Sequence, residues 1–130
     1  MTERTQKYCE IFHFNTNCFL IAVAHVPAVT IDGDATQIKA RGYDMQLTCR
    51  YNASPSVSEV LWKVNGTVIA RNTSVVINDS RITITRYNES QIQLTINATT
   101  PEDAGNYTCD VTNDVGNSSD TTVIVIEGVV

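Results

Sequence analysis

Met45, Leu47, Cys49 and Tyr51 alternate with Gln46, Thr48 and Arg50, the two-residue period of a strand with one face buried. The same period recurs at Val60, Trp62 and Val64, at Ile82 and Ile84, at Ile92, Leu94 and Ile96, and at Tyr107, Cys109 and Val111. A last run, Thr121-Thr-Val-Ile-Val-Ile126, is apolar on both faces. Gly, Asn, Asp and Ser separate the runs, and Asn65-Gly66 ends the second with a dipeptide suited to a tight hairpin. The pattern predicts an all-β domain of about seven strands between residues 27 and 127, followed by a short stub over 128–130.

Residues 1–26 are of another kind. Arg4 and Lys7 precede the apolar run Cys18-Phe-Leu-Ile-Ala-Val-Ala24, which ends in a small-x-small pattern at Ala22-Val-Ala24. That order predicts a secretion signal, the alternative being a disordered leader. The run is far shorter than the ~20 residues a membrane-spanning helix needs, so direct membrane insertion is not expected.

A chain of 130 residues suits a single core. With 42% hydrophobic and 18% charged residues it has the make-up of an ordinary globular domain. A net charge of −5 without a Lys/Arg run lacks the attraction that nucleic acid or an anionic membrane surface requires. Cys9, Cys18, Cys49 and Cys109 allow three pairings, and no zinc-type Cys/His spacing is present, so neither metal nor cofactor is expected.

Cys49, Trp62 thirteen residues later, and Asp103-Ala-Gly-Asn-Tyr107-Thr-Cys109 resemble the signature of the immunoglobulin superfamily. The resemblance implies a two-sheet Greek-key sandwich. In it Cys49 and Cys109 form an inter-sheet disulfide, Trp62 packs on that bond, and Tyr107 returns its hydroxyl to the corner backbone. Closing a loop of that length would contribute about 4 kcal/mol if the pair is oxidised. Arg81 and Asp103 match a charge pair of such domains that closes one end of the sandwich. Gly42, seven residues before Cys49, strengthens the resemblance, and the short interval from Trp62 to Arg81 and the turn Asn113-Asp-Val-Gly116 resemble the intermediate (I-set) type. Cys9 and Cys18 stay open: they could pair, leave with a cleaved leader, or link to another chain.

Asn52, Asn65, Asn72, Asn78, Asn88, Asn97, Asn106 and Asn117 each begin an N-x-[ST] acceptor, eight of the eleven asparagines. Chance would give about two, so the excess predicts N-linked glycans and an extracellular chain, secreted or part of a cell-surface ectodomain. An oxidised cysteine pair points to the same compartment.

Both histidines, His13 and His25, fall in the leader by this division, which leaves residues 27–127 without an imidazole. No Gly-rich phosphate loop is present either, and an enzyme is not expected. The resemblance instead implies a recognition or adhesion module that binds a protein ligand or receptor, or a second copy of itself. The alternative is a passive spacer, extracellular or of the intracellular muscle type. Strand phase puts a candidate partner-binding face on the sheet holding Leu61, Lys63, Asp110 and Ile124, with Thr108 and Thr112 alongside. The opposite sheet would carry Asn97 and Asn88, whose glycans would disfavour contacts there.

Overall fold

In the computed structural model, backbone is described for residues 5–12 and 15–128, and side chains for residues 23–128. Within the predicted leader, β1 (Thr5–Phe12) and β2 (Asn15–Ala22) pair as an antiparallel hairpin in which Cys9 stands opposite Cys18. The two cysteine side chains lie outside the described residues. The hairpin is a matter of conformation, whereas a signal is defined by its processing.

The remaining strands build two sheets. One has the order β3 (His25–Ile31), β5 (Met45–Ser54), β10 (Gln91–Ile96), β9 (Ile82–Asn88). The other runs β4 (Thr36–Ala40), β12 (Asn117–Glu127), β11 (Gly105–Thr112), β6 (Glu59–Val64), β7 (Thr67–Arg71), β8 (Ser74–Val75). Alternation sets the core. Met45, Leu47, Cys49 and Tyr51 of β5 and Ile92, Leu94 and Ile96 of β10 face Val60, Trp62, Tyr107, Cys109 and Val111 from the other sheet, all buried. The Cys49–Cys109 disulfide joins the sheets, with Cα atoms 6.4 Å apart. Trp62 stands directly across the ladder from Cys109 and is fully buried. Its Nε1 has no hydrogen-bond partner among the described residues, a cost of about 1–3 kcal/mol that burial of the ring offsets.

Ten strands replace the seven expected. β4 has no apolar face, since only Gln37 and Lys39 are half-buried. A register shift between Trp62 and Lys63 lets β7 bury Ile69 and Ala70 in succession, which erases its alternation. β3 begins at His25, two residues before the predicted boundary, so His25 belongs to the sandwich and not to the leader. The chain changes sheets between β3 and β4, where Ile31 N donates to Asp120 Oδ2 (2.8 Å) and Thr122 Oγ1 to Asp34 O (2.9 Å).

One end is closed by charge. Arg81 Nη1 and Nη2 donate to the two carboxylate oxygens of Asp103 (2.8 and 2.9 Å), and Nη2 also reaches Asp79 Oδ2 (2.9 Å). Asp103 further accepts from Thr100 N (2.8 Å) at the start of a 3-10 turn, Pro101–Asp103, and its carbonyl accepts the Tyr107 hydroxyl (2.5 Å). Burial pushes that phenol up, and the neighbouring Asp103 charge adds to it. Hydrogen bonds from Arg81 hold both Asp79 and Asp103 below the usual carboxylate range.

Groups depressed in this way stabilise the fold fully above their unfolded pKa of about 4, and the contribution is lost as pH falls through the folded values. Denaturant titrations from pH 7 to pH 2 are expected to show that loss. Asp103→Ala should cost about 2 kcal/mol at pH 7 and make the acid limb shallower.

Candidate binding face

The outer face of the six-stranded sheet is formed by whatever the core rejects. Because Tyr107, Cys109 and Val111 point inward, Asn106, Thr108, Asp110 and Thr112 of β11 point outward. Register places Lys63 opposite Thr108, Leu61 opposite Asp110 and Glu59 opposite Thr112 on one side. On the other side Val123 stands opposite Asn106, Thr121 opposite Thr108 and Ser119 opposite Asp110. Leu61, Lys63 and Asp110 therefore come together as the sequence implied, each half-buried.

Polar groups on this face are paired with one another. Lys63 Nζ donates to Asp110 Oδ2 (3.0 Å), Asn117 Nδ2 donates to Asp110 Oδ1 (3.2 Å), and the Thr108 and Thr121 hydroxyls share a bond of 2.8 Å. Arg71, beside Leu61, lies 3.5 Å from Glu59. A partner covering Leu61 would meet charges already neutralised by neighbours, which lowers the desolvation cost of docking.

Ile124 is not part of the face: it is 1% exposed and belongs to the core. The run Thr121–Ile126 is apolar in both phases, and its inward set includes Thr122, buried through bonds to the β3–β4 crossing. A buried threonine in phase with Ile124 disguised which side was which. The outward residues are Val123 and Val125, 39% and 37% exposed, and Ile38 of β4, opposite Val125, is 65% exposed. This apolar corner was hidden because β4 gave no strand signal.

Candidate glycan carriers lie on both sheets. Asn106 and Asn117 are exposed on the candidate face itself. Asn65, Asn78, Asn88 and Asn97 are also exposed, while Asn52 and Asn72 are half-buried. Several acceptors have structural work: Asn65 Oδ1 accepts from Asn106 N (2.9 Å), Asn72 Oδ1 from Val60 N (3.0 Å), and Asn88 Oδ1 from Ser90 N (2.8 Å). Asn65 sits at φ 50° and Gly66 at φ 84°, the hairpin turn the dipeptide predicted.

Among the described residues no group of His, Cys, Asp and Glu could hold a metal. His25, now inside the sandwich, turns Nδ1 to the Val26 carbonyl (2.7 Å), and its own carbonyl accepts from Asn113 Nδ2 (2.8 Å).

The sequence profile of the immunoglobulin domain matches residues 39–122. The chain belongs to the immunoglobulin domain family. Relatives include neuroglian of Drosophila melanogaster, 33% identical over 101 residues (78% of this chain, 7% of neuroglian). The muscle M-line assembly protein unc-89 of Caenorhabditis elegans is 31% identical over 91 residues, 70% of this chain and 1% of its own length. The immunoglobulin chain thus spans a small fraction of either relative. Among solved structures, titin domain M4 superposes with TM-score 0.64 at 21% identity, covering 81% of this chain and 99% of that one. The first Ig domain of mouse SynCAM 2 gives 0.65 at 17%, covering 81% and 98%. Both likenesses concern the fold, and the I-set assignment is consistent with them.

The inverted phase of β12 is open to test by thermal or urea denaturation. Ile124→Asp should cost more than about 4 kcal/mol or abolish folding, whereas Val125→Asp should stay within about 1 kcal/mol of the parent.

Proposed function

We propose that this immunoglobulin domain is an extracellular recognition module that binds another protein through the outer face of its six-stranded sheet, with Leu61, Lys63 and Asp110 at the centre. The observation that carries this reading is a leucine bracketed by mutually paired charges on an open sheet face. Such a surface offers apolar contact without a bare charge to desolvate. The density of acceptor sequons supports placement outside the cell, and the segment up to Ala24, ahead of β3, acts on this reading as a secretion signal. Kinship with neuroglian is compatible with it.

A second reading, a spacer domain in a serial array, is favoured by the likeness to the M-line protein and to titin. The two diverge in what the face does. In a binding screen of the secreted chain against an array of ectodomains that includes its own, recognition predicts a partner whose affinity falls at least tenfold with Leu61→Asp, about 1.4 kcal/mol. Partner binding that survives Leu61→Asp unchanged removes this face from the account, and an array without any partner favours the spacer.

A further inference from the structure

The apolar corner made by Ile38, Val123 and Val125 is left open by the protein's described side chains, and it lies beside an acceptor asparagine. We infer that Asn106 carries an N-linked glycan whose first sugars lie over Val123, Val125 and Ile38, so that carbohydrate covers this corner and confines a protein partner to the Leu61 end of the face. The inference rests on the extracellular reading above and adds to it a named site and a division of the surface.

Three observations place the sugar there. First, Asn106 is exposed, and its side chain shares the outward phase of Thr108, the hydroxyl residue of its own sequon, while Tyr107 between them is buried. Among the described residues only the Asn106 backbone is tied down: its N–H donates to Asn65 Oδ1 (2.9 Å) and its carbonyl accepts from Asn65 N (2.8 Å). Secondly, of the other acceptors on this sheet, Asn65 beside the site is crowded, and Asn117, opposite Thr112 at the far end of the β11–β12 pair, is engaged. The Asn65 amide lies so close to the Gly105 backbone that a Cβ there would fall 2.7 Å from its Nδ2, and Asn117 Nδ2 is given to Asp110. Thirdly, register fixes the reach. Asn106 is directly opposite Val123, Val125 is the next outward residue along β12, and Ile38 is opposite Val125. Opposed Cβ atoms in such pairs are about 5 Å apart and diagonal ones about 7–8 Å, and a pyranose ring is about as wide as one inter-strand spacing. The ring's C–H face would remove aliphatic surface from water, the favourable term that Val123, Val125 and Ile38 now lack.

Attachment of the sugar needs no redox step. An oligosaccharide carried on a polyisoprenoid diphosphate gives up its C1–O bond to the diphosphate, C1 bonds to Asn106 Nδ2, and the amide proton and the lipid diphosphate depart.

The test uses the full chain secreted from eukaryotic cells. Glycopeptide mapping is followed by carbene footprinting of the folded wild type and of Asn106→Gln, with Tyr43, 72% exposed and outside this corner, as internal reference. Glycan at Asn106, and labelling of Ile38, Val123 and Val125 that rises severalfold in Asn106→Gln while Tyr43 is constant, is the expected result. Should Asn106→Gln not be secreted, enzymatic deglycosylation of folded wild type must give the same rise. A bare Asn106 in a chain glycosylated at Asn78 or Asn97, or unchanged labelling of the corner, overturns this inference alone. A chain bare at every sequon overturns it together with the extracellular reading.

Discussion

The bond from Cys49 to Cys109 ties the middle of one sheet to the middle of the other, and the rest of the molecule is arranged around it. Cys49 lies in β5 and Cys109 in β11, strands with a neighbour on each side, so the pin fixes interior strands and not edges. Its sequence separation of 60 residues makes it effective, because the unfolded chain loses much loop freedom. Trp62 fills the space across from Cys109, and the aliphatic residues of β5, β6, β10 and β11 complete the core. Strand alternation carries the consequence to the surface. A Cys109 that must point inward sends Thr108 and Asp110 outward, and pairing with β6 then sets Lys63 and Leu61 beside them. The candidate face is a by-product of the core's phase.

Two polar clamps hold the ends of this frame. At one end Arg81 bridges Asp79 and Asp103, and Asp103 in turn receives the Tyr107 hydroxyl. At the other, Asn113 is buried and fully committed. Its Nδ2 donates to the carbonyls of His25 (2.8 Å) and Pro55 (3.1 Å), and its Oδ1 accepts from Val115 N (3.0 Å) and Gly116 N (3.2 Å). The β11–β12 turn is thereby bound to β3 and to the loop after β5. A sheet anchored at its centre and at both ends presents a preorganised surface, which reduces the ordering cost of binding.

What could be read from the sequence was whatever alternates. β5, β6, β10 and β11 show a clean period of two because one side of each is buried, and the Cys, Trp and Tyr spacing identified their assembly. β4 and β8 escaped because neither has an apolar face to give a period. β7 escaped because the bulge opposite Trp62 and Lys63 buries adjacent residues. The phase of Thr121–Ile126 was ambiguous by composition, since a buried Thr122 and exposed Val123 and Val125 each contradict the usual sorting. Asn113 was legible only as a turn residue, the part its bonds from Val115 N and Gly116 N play; its other two bonds, to the carbonyls of His25 and Pro55, reach segments far apart in sequence, and no local pattern encodes them. The outer face of the six-stranded sheet was partly legible for the same reasons, with Leu61, Lys63 and Asp110 lying on well-marked strands and Ile38 missed on an unmarked one.

A frame pinned in this way requires that the chain be kept oxidised where it works. The most direct test is urea unfolding of the chain isolated from the cells that make it, with and without reductant. A bridged Cys49–Cys109 pair and a loss of about 4 kcal/mol on reduction is the expected result. Free thiols in the isolated protein, with the same unfolding midpoint under both conditions, would contradict it and assign the domain to a reducing compartment as a structural spacer.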